Sequence, residues 1–200
     1  MVGVLDLWLP ILLSAVFVFA ASSIIHMFLP YHRSDFKGVP DEDGVMDALR
    51  GFNIPPGDYV VPRAGSPEAL KDEAYRAKAT KGPVLFMTVY PPGDPFKMGS
   101  QLVQWFLFCI LVGVFTAYLT GLAFGPGPEM YRAVFRFAGC AAFVGYSLAH
   151  LQKSIWYKGS WSTTFKNVFE SMDADLPMIT QFVLDMSNFL RGNAAAVFGL

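Results

Sequence analysis

Three long apolar stretches organise this chain. Leu102 to Phe124 contains no charged residue, and Ala133 to Leu151 contains only Arg136, near its start. Each is long enough to cross a hydrocarbon core of about 30 Å as a helix of about 20 residues. They are joined by the short segment 125–132, GPGPEMYR, so together they predict a transmembrane hairpin. The third stretch, Leu7 to Leu29, also lacks a charge. A cleavable signal would carry Lys or Arg ahead of its apolar run, and here the charge ahead of it is Asp6, so this segment reads as an uncleaved membrane helix within residues 1–29.

The polar segment 30–101 alternates helix, strand and turn signals. Pro40-Asp41-Glu42-Asp43 followed by Val45, Met46 and Leu49 predicts a short capped helix that Gly51 ends. Ser66-Pro67-Glu68 predicts a second, with Ser66 as cap, Pro67 at the first helical position and closure near Gly82. Tyr59-Val60-Val61 and Val84 to Tyr90 have the β-branched and aromatic content of strands. Each abuts a Pro-Pro-Gly-Asp tetrapeptide, at 55–58 and 91–94, which predicts two type II turns flanking a small ribbon. A core of this size is marginal, so the segment is expected to lean on the membrane helices or on a partner.

After Trp161 the pattern changes. Ser162-Thr163-Thr164 can cap a helix through Phe169, and Leu176, Ile179, Val183, Met186 and Leu190 then recur on one helical face. Region 162–200 therefore reads as a C-terminal amphipathic helix at an interface, with a short fourth crossing as the alternative. The expected fold is a mainly α, polytopic membrane protein with three transmembrane helices, a small α+β insertion and this C-terminal helical region.

Charge sets an orientation. His32, Arg33 and Lys37 follow the first stretch, Lys97 precedes the second, and Lys153, Lys158 and Lys166 follow the third, whereas the 125–132 loop holds Arg132 offset by Glu129. The positive-inside rule then places the N-terminus outside and the 30–101 segment in the cytoplasm, in a multi-pass protein of a bacterial inner membrane. Trp8 and Tyr131 would anchor the outer interface; Tyr31, Trp105, Trp156, Tyr157 and Trp161 the inner one. Charged residues make up only 16% of the chain, and 15 basic residues nearly cancel 16 acidic ones. No basic footprint exists for nucleic acid, which is excluded as a partner in favour of lipid and other membrane subunits.

Candidate chemistry is sparse. Gly113, Ala117 and Gly121 form one stripe of small residues, and Ala141, Gly145 and Ala149 another, which predicts close helix packing. Close approach to a flat haem or chlorin is the alternative, and its axial ligands would be His26 and His150, placed near the same end of their helices. His32 reads as a surface residue. Cys109 and Cys140 lie inside predicted spans as small packing residues, and a zinc site of the usual Cys/His spacing is absent, so a tightly bound metal would have to use histidines and carboxylates. The acidic group Asp41, Glu42, Asp43 and Asp47 lacks calcium-loop spacing and suits a helix start, so no metal site is expected there. The apolar stretches contain no carboxylate, which disfavours a transporter or proton pump, and no nucleophile, phosphate-loop or metalloprotease motif points to an enzyme.

Several strings resemble those of a widespread group of bacterial membrane proteins of unknown function. They are Pro30-Tyr31-His32-Arg33-Ser34-Asp35-Phe36-Lys37 leading to Pro40-Asp41-Glu42-Asp43, Gly82-Pro83 with Val89-Tyr90-Pro91-Pro92-Gly93, Met98-Gly99 with Trp105-Phe106-Leu107-Phe108-Cys109, and Ser154-Ile155-Trp156 with Trp161-Ser162. The resemblance covers roughly residues 20–170 and implies kinship of fold without an activity. The group's pattern closes on a smooth Leu-, Ala- and Gly-rich fourth span, and this chain departs there with Asp173-Ala174-Asp175-Leu176-Pro177. The expectation is a non-catalytic accessory or scaffold subunit of a larger energy-transducing complex, photosynthetic or respiratory. No cofactor is expected under that reading; the alternative is a small haem- or pigment-binding protein.

Overall fold

A computed structural model describes residues 4–94, 97–124 and 131–170. In chain order its elements are helix α1 (Trp8–Phe28), helix α2 (Glu42–Gly51), strand β1 (Gly57–Val61), helix α3 (Glu73–Lys81), strand β2 (Leu85–Val89), helix α4 (Gly99–Ala123), helix α5 (Tyr131–Tyr157) and a helix α6 over residues 161–170. The face proposed for Leu176 to Leu190, and the fourth crossing, lie outside the described residues, as does most of the 125–132 loop. The chain divides into two compact units, Met1–Phe36 with Met98–Leu200, and Lys37–Lys97.

The first unit contains three helices long and apolar enough to cross a membrane, Val4–Phe28, Gly99–Ala123 and Arg132–Tyr157. The first two begin before the apolar stretches that predict them and stop one residue short of their ends, whereas the third runs past Leu151 to Tyr157, because backbone geometry rather than hydropathy ends a helix. In α5 the helix runs on through Gln152, Lys153 and Ser154 until Lys158 turns left-handed, at φ 56°, and the Gly159 amide closes back on the Lys153 carbonyl. Ser160 then caps α6, its carbonyl and hydroxyl accepting from the Thr164 and Thr163 amides. The cap thus lies two residues before the expected Ser162.

Helix α4 packs against both α1 and α5. Leu7, Ile11, Ala117, Val134 and Ala138 form one buried cluster, and Ala15, Val18, Cys109, Val112, Ala142 and Tyr146 the other. The expected stripe on α4 is a contact line: Ala117 and Gly121 are buried, and a Cβ on Gly113 would lie 3.2 Å from Ile11 Cγ2. On α5 the expected stripe is displaced. Its buried line is Val134, Ala138, Ala142 and Tyr146, whereas Ala149 is exposed and Ala141 half-buried. The room that Ala117 provides on α4 lets α5 meet it with bulk at Val134, so small size on α5 does not mark the packed face. Gly145 is the member of that stripe that still bears on a neighbour, since a Cβ there would lie 3.1 Å from Val112 Cγ1.

Trp105 is half-buried, with its ring against Phe108 and Tyr146, while Trp8, Trp156 and Trp161 are exposed. The side chain of Tyr31 lies outside the described set. Cys109 is buried in the core, but Cys140 faces outward.

In the second unit, β1 and β2 pair antiparallel from Gly57 opposite Val89 to Val61 opposite Leu85. Gly57 is therefore drawn into the ribbon as its first residue instead of forming the expected turn. Asp41 caps α2 through its side chain on the Gly44 amide, and the left-handed residue beyond the helix is Asn53, at φ 48°, with Gly51 still helical. The helix expected from Ser66 to Gly82 is broken. Ser66 caps only a 3₁₀ turn, Ala69–Lys71; Asp72 is extended, so the chain restarts there, and its side chain caps α3 on the Ala74 amide. Gly82, at φ 66°, closes α3 as expected. No described residue of Lys37–Lys97 is buried.

Candidate functional site

The apolar run of α1 stops where Pro30 forces Leu29 into extended backbone, with ψ 139°. His26 sits in the last turn before that stop. The 3₁₀ turn Pro30–His32 then folds the chain back, so that the His32 ring lies on the His26 ring with centroids 4.6 Å apart and planes within 8°. Asp35 follows, its amide donating to the His32 carbonyl and its Oδ2 accepting from His32 Nδ1 at 2.6 Å.

Helix α6 supplies the other half. It is fixed to α5 by a buried hydrogen bond of 2.6 Å between the Ser154 and Thr164 hydroxyls. Lys166 and Glu170 stand four residues apart on one face. Lys166 Nζ donates to Asp35 Oδ1 at 2.8 Å and to Ser34 Oγ at 2.9 Å. Glu170 bridges the two rings: Oε1 lies 3.1 Å from His26 Nδ1, and Oε2 lies 2.8 Å from His32 Nε2. His26 Nδ1 also donates to the Ser22 carbonyl at 3.0 Å.

The cluster is largely withdrawn from solvent. Side-chain exposure is 6% for Asp35, 10% for Glu170, 15% for His32 and 19% for Lys166, against 53% for His26. Burial pushes the Asp35 carboxyl up, but the hydrogen bonds and charges of Lys166 and His32 more than reverse this and hold it below the usual carboxylate range. A lone pair on His32 Nε2 facing a carboxylate oxygen at 2.8 Å would be repulsive. The 2.8 Å contact is therefore a hydrogen bond, with a proton between Nε2 and Glu170.

This assembly differs from the one expected. The histidine brought to His26 is His32, which is neither free nor on the open surface; His150, half-buried on α5, is not in the cluster. Asp35, Lys166 and Glu170 were not legible as site residues, although Lys166 and Glu170 have the four-residue spacing of a shared helical face. The acidic group divides into structural tasks, with Asp41 capping α2 and Asp47 paired with Arg50.

Comparison with known proteins adds no relative: no family model, no curated protein and no solved structure matches the chain.

Proposed function

We propose that this chain is a non-catalytic accessory subunit, embedded in a bacterial inner membrane through α1, α4 and α5 and packed against a larger assembly. One observation carries the reading. The extramembrane unit Lys37–Lys97 has no buried residue among those described, and it presents Val45, Met46, Leu49 and Phe52 on one side of α2 and its C-terminal end at 42–74% exposure. An extramembrane unit without a core of its own is stable only when another surface covers it. On α4, Gly113 and Ala117 let neighbouring helices approach closely, which supports a helix-packing role.

Energy-transducing complexes of the inner membrane, photosynthetic or respiratory, are the class of assembly we put first, because a peripheral helical subunit that carries no reaction of its own suits such many-chain assemblies. The test is gentle solubilisation of native membranes followed by native electrophoresis and mass spectrometry of co-migrating chains. The reading predicts migration in a species far above 22.1 kDa with a reproducible set of membrane partners. Migration as a lone chain in its detergent micelle would overturn it.

A further inference from the structure

We propose that His26, His32 and Glu170 form a binding site for one divalent first-row transition metal ion of the Zn²⁺ type at the C-terminal end of α1. A ligand atom from each of the three lies within 4.8 Å of the other two. Imidazole and carboxylate are the donors such ions accept, and two histidines with one glutamate make a three-ligand set that leaves a coordination position open.

The surroundings support the ligands in the manner of a metal site. A ligating histidine ordinarily spends its second ring nitrogen on a fixed acceptor, which sets the tautomer and orients the ring. His32 Nδ1 donates to Asp35 at 2.6 Å, and Asp35 is itself held by Lys166 at 2.8 Å. His26 Nδ1 donates to the Ser22 carbonyl at 3.0 Å. His32 thus has an anchored Nδ1, which reserves its Nε2 for the ion; His26 Nδ1 is shared between the Ser22 carbonyl and Glu170 Oε1, at 3.1 Å, so this ring offers a nitrogen to the ion only after it turns. Charge is consistent with this: Lys166 offsets Asp35, and Glu170 faces the rings as the anionic ligand.

The stacked rings describe the form before the ion enters. Two parallel imidazoles cannot hold one ion in both ring planes, so one ring must turn. His26 is the one able to do so, with half its side chain exposed at a helix end, while His32 is enclosed and tied to Asp35. Binding exchanges the proton between His32 Nε2 and Glu170 for the metal and releases that proton to solvent.

The experiment uses the full chain in mild detergent, stripped by a chelator and titrated with Zn²⁺ by calorimetry and with Co²⁺ by visible absorption. One equivalent should bind. His32→Ala and Glu170→Gln should lose that saturable site, Asp35→Asn should weaken it by about 10- to 100-fold, and His150→Ala should leave it unchanged. Because His32→Ala also removes a contact to α6, His26→Cys gives an independent reading: it should add a sulfur-to-cobalt charge-transfer band that the wild type lacks. Zn²⁺ uptake by the wild type no greater than by the double variant His26→Ala/His32→Ala would overturn the proposal. So would the absence of the new band in His26→Cys; either result would leave a clasp held by protons alone.

Discussion

At the scale of single residues, Asp35 shows how neighbours decide what a carboxylate does. Its sequence context, between Ser34 and Phe36, reads as an ordinary polar turn. In the fold it is nearly enclosed, and hydrogen bonds from Lys166 and His32 outweigh the burial that would otherwise raise its pKa. A group whose folded pKa is depressed adds stability above its unfolded value, and that contribution is lost as pH falls through the folded value. The docking of α6 on residues 32–35 should therefore survive into mildly acidic solution and loosen only below the ordinary carboxylate range. Lys166→Gln removes the cation that lowers Asp35, so the loosening should begin at higher pH. Hydrogen exchange of the α6 amides followed against pH measures this, and identical profiles for wild type and variant would contradict it.

Individual glycines tell a related story. Their small size is visible in the sequence, but which of them a neighbour approaches is not. Gly113 and Gly145 each face a branched side chain across a helix contact, Ile11 and Val112 respectively, whereas nothing approaches Gly38, Gly51, Gly65 or Gly99.

At the scale of elements, the helix ends were readable wherever the stop is written in local chemistry. Pro30 after α1, Asp41 before α2 and Gly82 after α3 act through backbone restriction or a side chain within the next three residues. The break at Asp72 and the left-handed Lys158 escape such reading, because residues of those types occur inside helices as readily as at their ends. The pairing of elements follows from surface fit. A Cβ at Gly145 would lie 3.1 Å from Val112 Cγ1, so Gly145→Leu should push Val112 away from α5, and overpacking of this kind costs on the order of 1–3 kcal/mol. Thermal unfolding in detergent should show a lower midpoint for this variant. The same change at Gly99, where a Cβ meets open space, should leave the midpoint within error.

At the scale of the whole molecule, the lengths and hydropathies of α1, α4 and α5 make them able to span a membrane, and the distribution of Lys and Arg predicts the side on which α6 lies. A chain with Cys109 and Cys140 replaced by Ser and with Ser162→Cys introduced provides the check. A membrane-impermeant maleimide should label it only after the membrane is permeabilised. Labelling of intact spheroplasts would reverse the orientation and place the histidine and carboxylate cluster on the outer side.

The sequence by itself determined the apolar stretches, the ribbon, the Asp41 cap and the Gly82 stop, because each depends on residues within a few positions of one another. It also supplied the limit that a metal would need histidine and carboxylate ligands. Tertiary structure alone decided that α4 lies against both other long helices, that α5 packs through Val134, Ala138, Ala142 and Tyr146, and that His26 meets His32 and Glu170 rather than His150. The physical reason is separation along the chain. Glu170 is 138 residues from His32, and the two are brought together by a proline stop, a 3₁₀ turn and the buried Ser154–Thr164 hydrogen bond, none of which carries in its own residues any sign of the partner it will present.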